Sequence, residues 1–128
     1  MTTRPNGAKN DAVHQLREAK REVAMAIYQL FEWEIAQGRQ QDVLAMEGAF
    51  LSAIQRMGGK PIGGFTTAVG DVNRLMALIA YDDFAQYGKA NQASQDDAQL
   101  QKLTQASAGL ISQVNTSILQ PTPGSPLK

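Results

Sequence analysis

Gly58-Gly59-Lys60-Pro61-Ile62-Gly63-Gly64 stands near the middle of this 128-residue chain, and its structure decides the fold. Two glycine pairs bracket a proline. In a helix interior glycine costs about 1 kcal/mol relative to alanine, and proline about 3 kcal/mol. The spacing therefore predicts a break through which no helix passes. On both sides the apolar residues recur at three-to-four spacing, the mark of a helix with one buried face. The heptapeptide then becomes a connector, and the chain becomes two helical hairpins.

A phosphate cradle at the same place is excluded by two residues. The pattern G-x-x-x-x-G-K-[ST] needs a hydroxyl after the lysine, for Mg²⁺, and a glycine five residues before the second glycine. Here Pro61 follows Lys60, and Ile54 stands where the first glycine belongs. The dinucleotide pattern G-x-G-x-x-G is absent as well.

Working outward, the periodicity predicts an all-α domain of four helices, about 10–37, 41–57, 66–87 and 95–119, with irregular arms at 1–9 and 120–128. In the first helix Val13, Leu16, Val23, Ile27, Leu30 and Phe31 share a face, flanked by Tyr28, Trp33 and Ile35. In the second the stripe is Val43, Met46, Phe50, Ile54 and Met57, ended by Gly58. In the third it is Val69, Val72, Met76, Ile79 and Tyr87, with Leu75, Leu78, Tyr81 and Phe84 widening the apolar arc. In the fourth, Leu100, Leu103, Leu110, Val114 and Ile118 make a narrow, nearly heptad seam. Pro121 stops it, and the tail carries Pro123 and Pro126. Gly48, Gly70 and Gly109 would fall inside helices, where close helix–helix approach would offset their cost.

Charges inside apolar stripes mark candidate contacts. On a helical wheel Lys20 and Glu34 fall within the face of the first helix, and Asp83 within that of the third. A lone buried charge is costly, so each needs a partner or a route to water. His14, Arg17, Lys20 and Arg21 form a basic side of the first helix that could meet phosphate, although Glu18 and Glu22 interleave with it. After Lys102 no charged residue appears until Lys128. The outer face of the fourth helix, including Gln105, Gly109, Ser112 and Gln113, is therefore uncharged and suits contact with another chain. With Trp33, Tyr81, Phe84, Pro121, Pro123 and Pro126, these residues are the expected protein interface.

Composition narrows the function class. Twelve basic residues balance twelve acidic ones, so the strongly basic footprint of a dedicated nucleic-acid binder is missing. Cysteine is absent and there is a single histidine, which removes thiolate metal sites and leaves a histidine triad or metal centre dependent on His14 alone. The pairs Glu32/Glu34 and Asp82/Asp83 lack the Glu-x-x-His motif of metal-carboxylate bundles. No cofactor or metal is expected, and no enzyme. The apolar run Leu75 to Tyr81 is too short to span a bilayer, and no signal peptide is expected. The expectation is thus a cytoplasmic, non-enzymatic assembly subunit, homo- or hetero-oligomeric, of the kind found as a bacteriophage virion or connector-type component. Two alternatives are a small nucleic-acid-binding or regulatory module and a small inhibitor or adaptor.

Overall fold

Ile27-Tyr-Gln-Leu-Phe-Glu-Trp-Glu-Ile35 is dense in β-branched and aromatic side chains, which pack well on a pleated surface. In the computed structural model, which describes residues 26–127, this segment is strand β1 (Ile27–Ile35). The chain continues through α1 (Gln40–Arg56), β2 (Lys60–Thr66), β3 (Arg74–Tyr81), α2 (Phe84–Gln95), α3 (Ala98–Ala106) and β4 (Ile111–Leu119). The four strands form one antiparallel sheet in the order β2-β3-β1-β4. This is a split β-α-β-β-α-β arrangement, with the second helical layer divided into α2 and α3.

The all-α expectation is therefore wrong. Of the four expected helices, the second coincides with α1. The first contains β1, and its residues 10–25 lie outside those described. The third is β3 and the start of α2, joined across a turn. The fourth is α3 followed by β4.

The Gly58–Gly64 connector is in large part strand β2. Gly58 does end α1, with φ +105°, and Gly59 N–H bonds back to the Ile54 carbonyl at 3.0 Å. From Lys60 the chain then pairs with β3, Lys60 opposite Ala80 and Thr66 opposite Leu75. Proline is tolerated because β2 is an edge strand, where a missing N–H costs no ladder bond. A register shift between Pro61 and Gly63 leaves Ile62 exposed. The expected helical sites of Gly70 and Gly109 are turns, with φ +121° and +81°. Gly48 is in α1, but a Cβ there would meet nothing within 4 Å, so it marks no close helix approach.

Alternation sets the two faces of the sheet. Ile27, Phe31, Trp33 and Ile35 of β1 and Leu75, Ala77, Ile79 and Tyr81 of β3 point toward the helices. One core cluster joins Ile27, Ile79 and Tyr81 to Ile54 of α1 and Ala90 of α2. A second joins Trp33, Ile35, Leu75 and Ala77 to Val43 of α1. Phe31, Phe50 and Leu51 pack against both.

Asp97 ties the helical layer together. Its carboxylate accepts the Leu100 N–H at 2.9 Å, capping α3, and pairs with the Arg56 guanidinium at 2.6 Å. The Arg56 hydrogen bond, and after it the Leu100 N–H, hold the Asp97 carboxyl below its ordinary value of 3.8. A carboxyl held low in the folded state adds stability above its unfolded value, and that stability is lost as pH falls through the lower, folded value. Asp97→Asn keeps a capping oxygen but cannot titrate. The variant is expected to show a shallower loss of Tm than the parent as pH is lowered through the carboxylate range. Thermal unfolding followed by circular dichroism over an acid pH series measures the difference.

Candidate ligand cleft

A gap opens between the helix-facing side of the sheet and the helices α1 and α3. Its cause is legible in α3. The apolar stripe of that short helix is only Leu100 and Leu103, and none of its residues is buried. Arg56 anchors it to α1 at one end through Asp97 and through Gln99 at 2.7 Å. The rest of α3 stands over the sheet without closing on it. The resulting cleft has a volume of about 430 Å³. Phe31 and Trp33 of β1, Leu75 and Ala77 of β3, and Ile111 and Val114 of β4 form its floor. Val43, Met46 and Phe50 of α1 form one wall, and Leu100, Leu103 and Ala108 the other.

Three aromatic rings set the shape of the floor and the α1 wall. Phe31 and Trp33 are two apart on one strand and lie parallel at 5.3 Å, with 4° between planes. Phe50 meets both edge-on, at 5.3 Å and 5.1 Å. Such offset and edge-to-face pairs hold their rings in fixed positions. The polar groups on the lining are few: Glu47, Thr104 and Ser107. Glu47 reaches over the edge strand, where its Oε2 would lie 2.7 Å from a Cβ placed on Gly64.

A second cavity of about 370 Å³ adjoins the first and shares Phe31, Phe50 and Leu100 with it. Its lining is more polar, with Gln29, Asn91, Ser94 and Thr116. There the buried Tyr81 hydroxyl donates to Gln29 Oε1 at 2.9 Å. Burial first, and then the neighbouring Tyr87, push the Tyr81 phenol up to about 12, so it stays protonated near neutral pH.

The residues singled out in the sequence are scattered. Trp33 lines the first cleft and Tyr81 the second. Phe84 is an exposed first residue of α2, and Asp83 before it caps that helix, accepting the Gln86 N–H at 2.8 Å. Asp83 thus lies in no apolar stripe. Glu34 lies on the opposite face of β1 from the cleft, 3.7 Å from Arg74, which also contacts Glu32 at 3.3 Å. Gln105 is an exposed residue of α3, Gly109 is in the turn after it, and Ser112 and Gln113 are exposed on β4 rather than on a helix. Pro121, Pro123 and Pro126 lie in a tail without regular secondary structure. His14, Arg17, Lys20 and Arg21 lie outside the described residues. Gln29, Phe31, Phe50, Leu100 and Leu103 were not expected as site residues. The alternation of Phe31 with Trp33 was the available signal. Among the described residues, no group of three His, Cys, Asp or Glu gathers as a metal site, and no helix is long and apolar enough to cross a membrane.

The family model for NIPSNAP matches residues 28–126, from the second residue of β1 to past the end of β4. The chain belongs to the NIPSNAP family. Its fold is similar to that of a NIPSNAP family protein from Agrobacterium tumefaciens, with TM-score 0.72 and 22% identity over 80% of this chain and 99% of that one. A second Agrobacterium tumefaciens NIPSNAP family protein of unknown function gives TM-score 0.73 and 17% identity over 82% and 96%. An uncharacterized NIPSNAP domain protein from Burkholderia xenovorans gives 0.70 and 20% over 78% and 98%. No curated protein matches the chain. The family match overturns the expectation of a bacteriophage virion or connector-type component, and with it the viral assignment: the chain is an α/β NIPSNAP domain.

Proposed function

We propose that this NIPSNAP domain binds a small apolar molecule in the cleft between its sheet and α3. The observation that carries this is the 430 Å³ cleft itself, lined by the fixed rings of Phe31, Trp33 and Phe50 and nearly free of polar groups. Small-molecule sites are concave, mostly apolar and of about 300–1,000 Å³. A purely structural domain gains nothing from the gap, because each half-buried leucine of α3 forgoes contacts that a closed core would give. No chemical step is assigned to the cleft.

Trp33 is the only tryptophan in the chain and lines the cleft, so it reports binding directly. Pyrene, a neutral hydrocarbon, is expected to accept energy from Trp33 in a saturable titration with one site per chain. Ala108→Phe places a large ring at the rim of the cleft, leaves Trp33 as the sole donor, and should weaken pyrene binding at least tenfold without lowering Tm. Unsaturable transfer, or unchanged affinity in the variant, would contradict the proposal.

A further inference from the structure

The two cavities share Phe31, Phe50 and Leu100, and the hydrogen-bonded pair Gln29 and Tyr81 lines the second. Gln29 is only 8% exposed, on a strand position flanked by Ile79 and Ile118. An apolar residue there would fit the alternation of β1. The Tyr81 hydroxyl has one proton, and it goes to Gln29 Oε1. That bond turns the amide so that its oxygen is occupied and its two N–H groups make no hydrogen bond to protein. The amide nitrogen is not sealed inside the protein, so it can donate to whatever fills the space beside it. Gln29 lines the second cavity, where that partner would sit.

From this geometry we infer that the ligand is an elongated neutral molecule, whose apolar body fills the first cleft and whose carbonyl oxygen accepts a hydrogen bond from the Gln29 amide in the second. The inference rests on the cleft being the binding site. A carbonyl is the group that matches, because it accepts two N–H bonds and donates none. A carboxylate does not match. Among the described residues lining this cavity there is no lysine, arginine or histidine, and Tyr81 stays protonated, so a buried anion would have no counter-charge from them. Nor does a bare hydrocarbon, which would leave the amide unpaired.

Displacement of pyrene from the 128-residue chain by three ligands of equal chain length tests this: undecane, undecanone and undecanoate. Undecanone is expected to displace pyrene at about tenfold lower concentration than undecane, the scale of one well-placed hydrogen bond relative to a stranded donor. Undecanoate should be the weakest. In Gln29→Met, a change of similar volume, undecanone should lose its advantage and displace pyrene at the same concentration as undecane. If Gln29→Met does not fold, the side-chain amide resonances of Gln29 in the unaltered protein serve instead, and undecanone but not undecane should shift them. Equal displacement by undecane and undecanone, preference for undecanoate, or still Gln29 resonances would overturn the inference while leaving the cleft as a binding site. Failure of pyrene itself to bind would overturn both.

Discussion

Ile79→Ala is expected to destabilise the domain by roughly 2–5 kcal/mol, the range for truncating a buried isoleucine to alanine. Ile79 is fully buried at the centre of β3, between β1 and β2, and packs in one cluster with Ile27, Ile54, Tyr81 and Ala90. Its neighbours come from the sheet and from both α1 and α2. They cannot collapse into the space without moving two layers, which places the cost toward the upper end. A domain of this size has about 5–15 kcal/mol in total, so the variant should unfold at markedly lower denaturant. Urea unfolding followed by circular dichroism measures it, and a loss below about 1 kcal/mol would mean that β3 is not the central strand of the core.

Gly59→Val is the second large effect, and it comes from overfilling the same place. A Cβ on Gly59 would lie 2.7 Å from Ile54 Cγ2 and 2.9 Å from Ile79 Cγ2. The Ile54 carbonyl is 3.3 Å away, so the backbone closes the other side. Gly59 is where α1 hands over to β2, and any relief must shift one of them against the core. Overpacking of this kind costs about 1–3 kcal/mol, with larger values where the surroundings are rigid. Gly59→Ala already introduces the Cβ and should show much of the loss. Because Ile79→Ala removes one of the clashing methyls, the double variant Gly59→Ala with Ile79→Ala should be less destabilised than the sum of the two. Strict additivity in urea unfolding would show that the two side chains do not share this space.

The same residues explain what the sequence did and did not reveal. Gly58 and the Val43–Met57 stripe place α1 well, because a 17-residue amphipathic helix ending on a glycine has few competing interpretations. The strands were obscured by spacings common to both periods. Leu110, Val114 and Ile118 recur every four residues, which is one helical turn but also two full strand repeats. In β4 the latter holds, and Val114, Thr116 and Ile118 fall on one side of the strand. Leu75 to Tyr81 is a continuous apolar run because both faces of β3 carry apolar side chains, with Met76 and Leu78 half-buried on the face away from the helices, and such a run has no period to read. Its composition, and the Ile-Tyr-Phe-Trp density of β1, were the better guides. The two glycine pairs misled most. They do mark a place where side chains cannot go, but at Gly59 the reason is the core packed against it rather than a free hinge. At Gly64 it is the Glu47 side chain laid across the edge strand.

The cleft was beyond the reach of sequence for a different reason. Its floor is drawn from three strands and its walls from two helices, so no local window contains it. Trp33 and Tyr81 are expected interface residues because they widen the apolar arcs of the expected first and third helices. The structure gives them other surroundings, Trp33 as a ring stacked on Phe31 and Tyr81 as the hydrogen-bond partner of Gln29.

Mapping pyrene binding by heteronuclear NMR tests the central claim most directly, because it shows where the molecule sits. Saturable shifts are predicted for the Trp33 indole N–H and for the amides of Phe31, Phe50, Leu103 and Ala108, with little change at Glu32, Phe65 and Arg74. Shifts centred on Glu32, Phe65 and Arg74, or none that saturate, would contradict the cleft as the binding site.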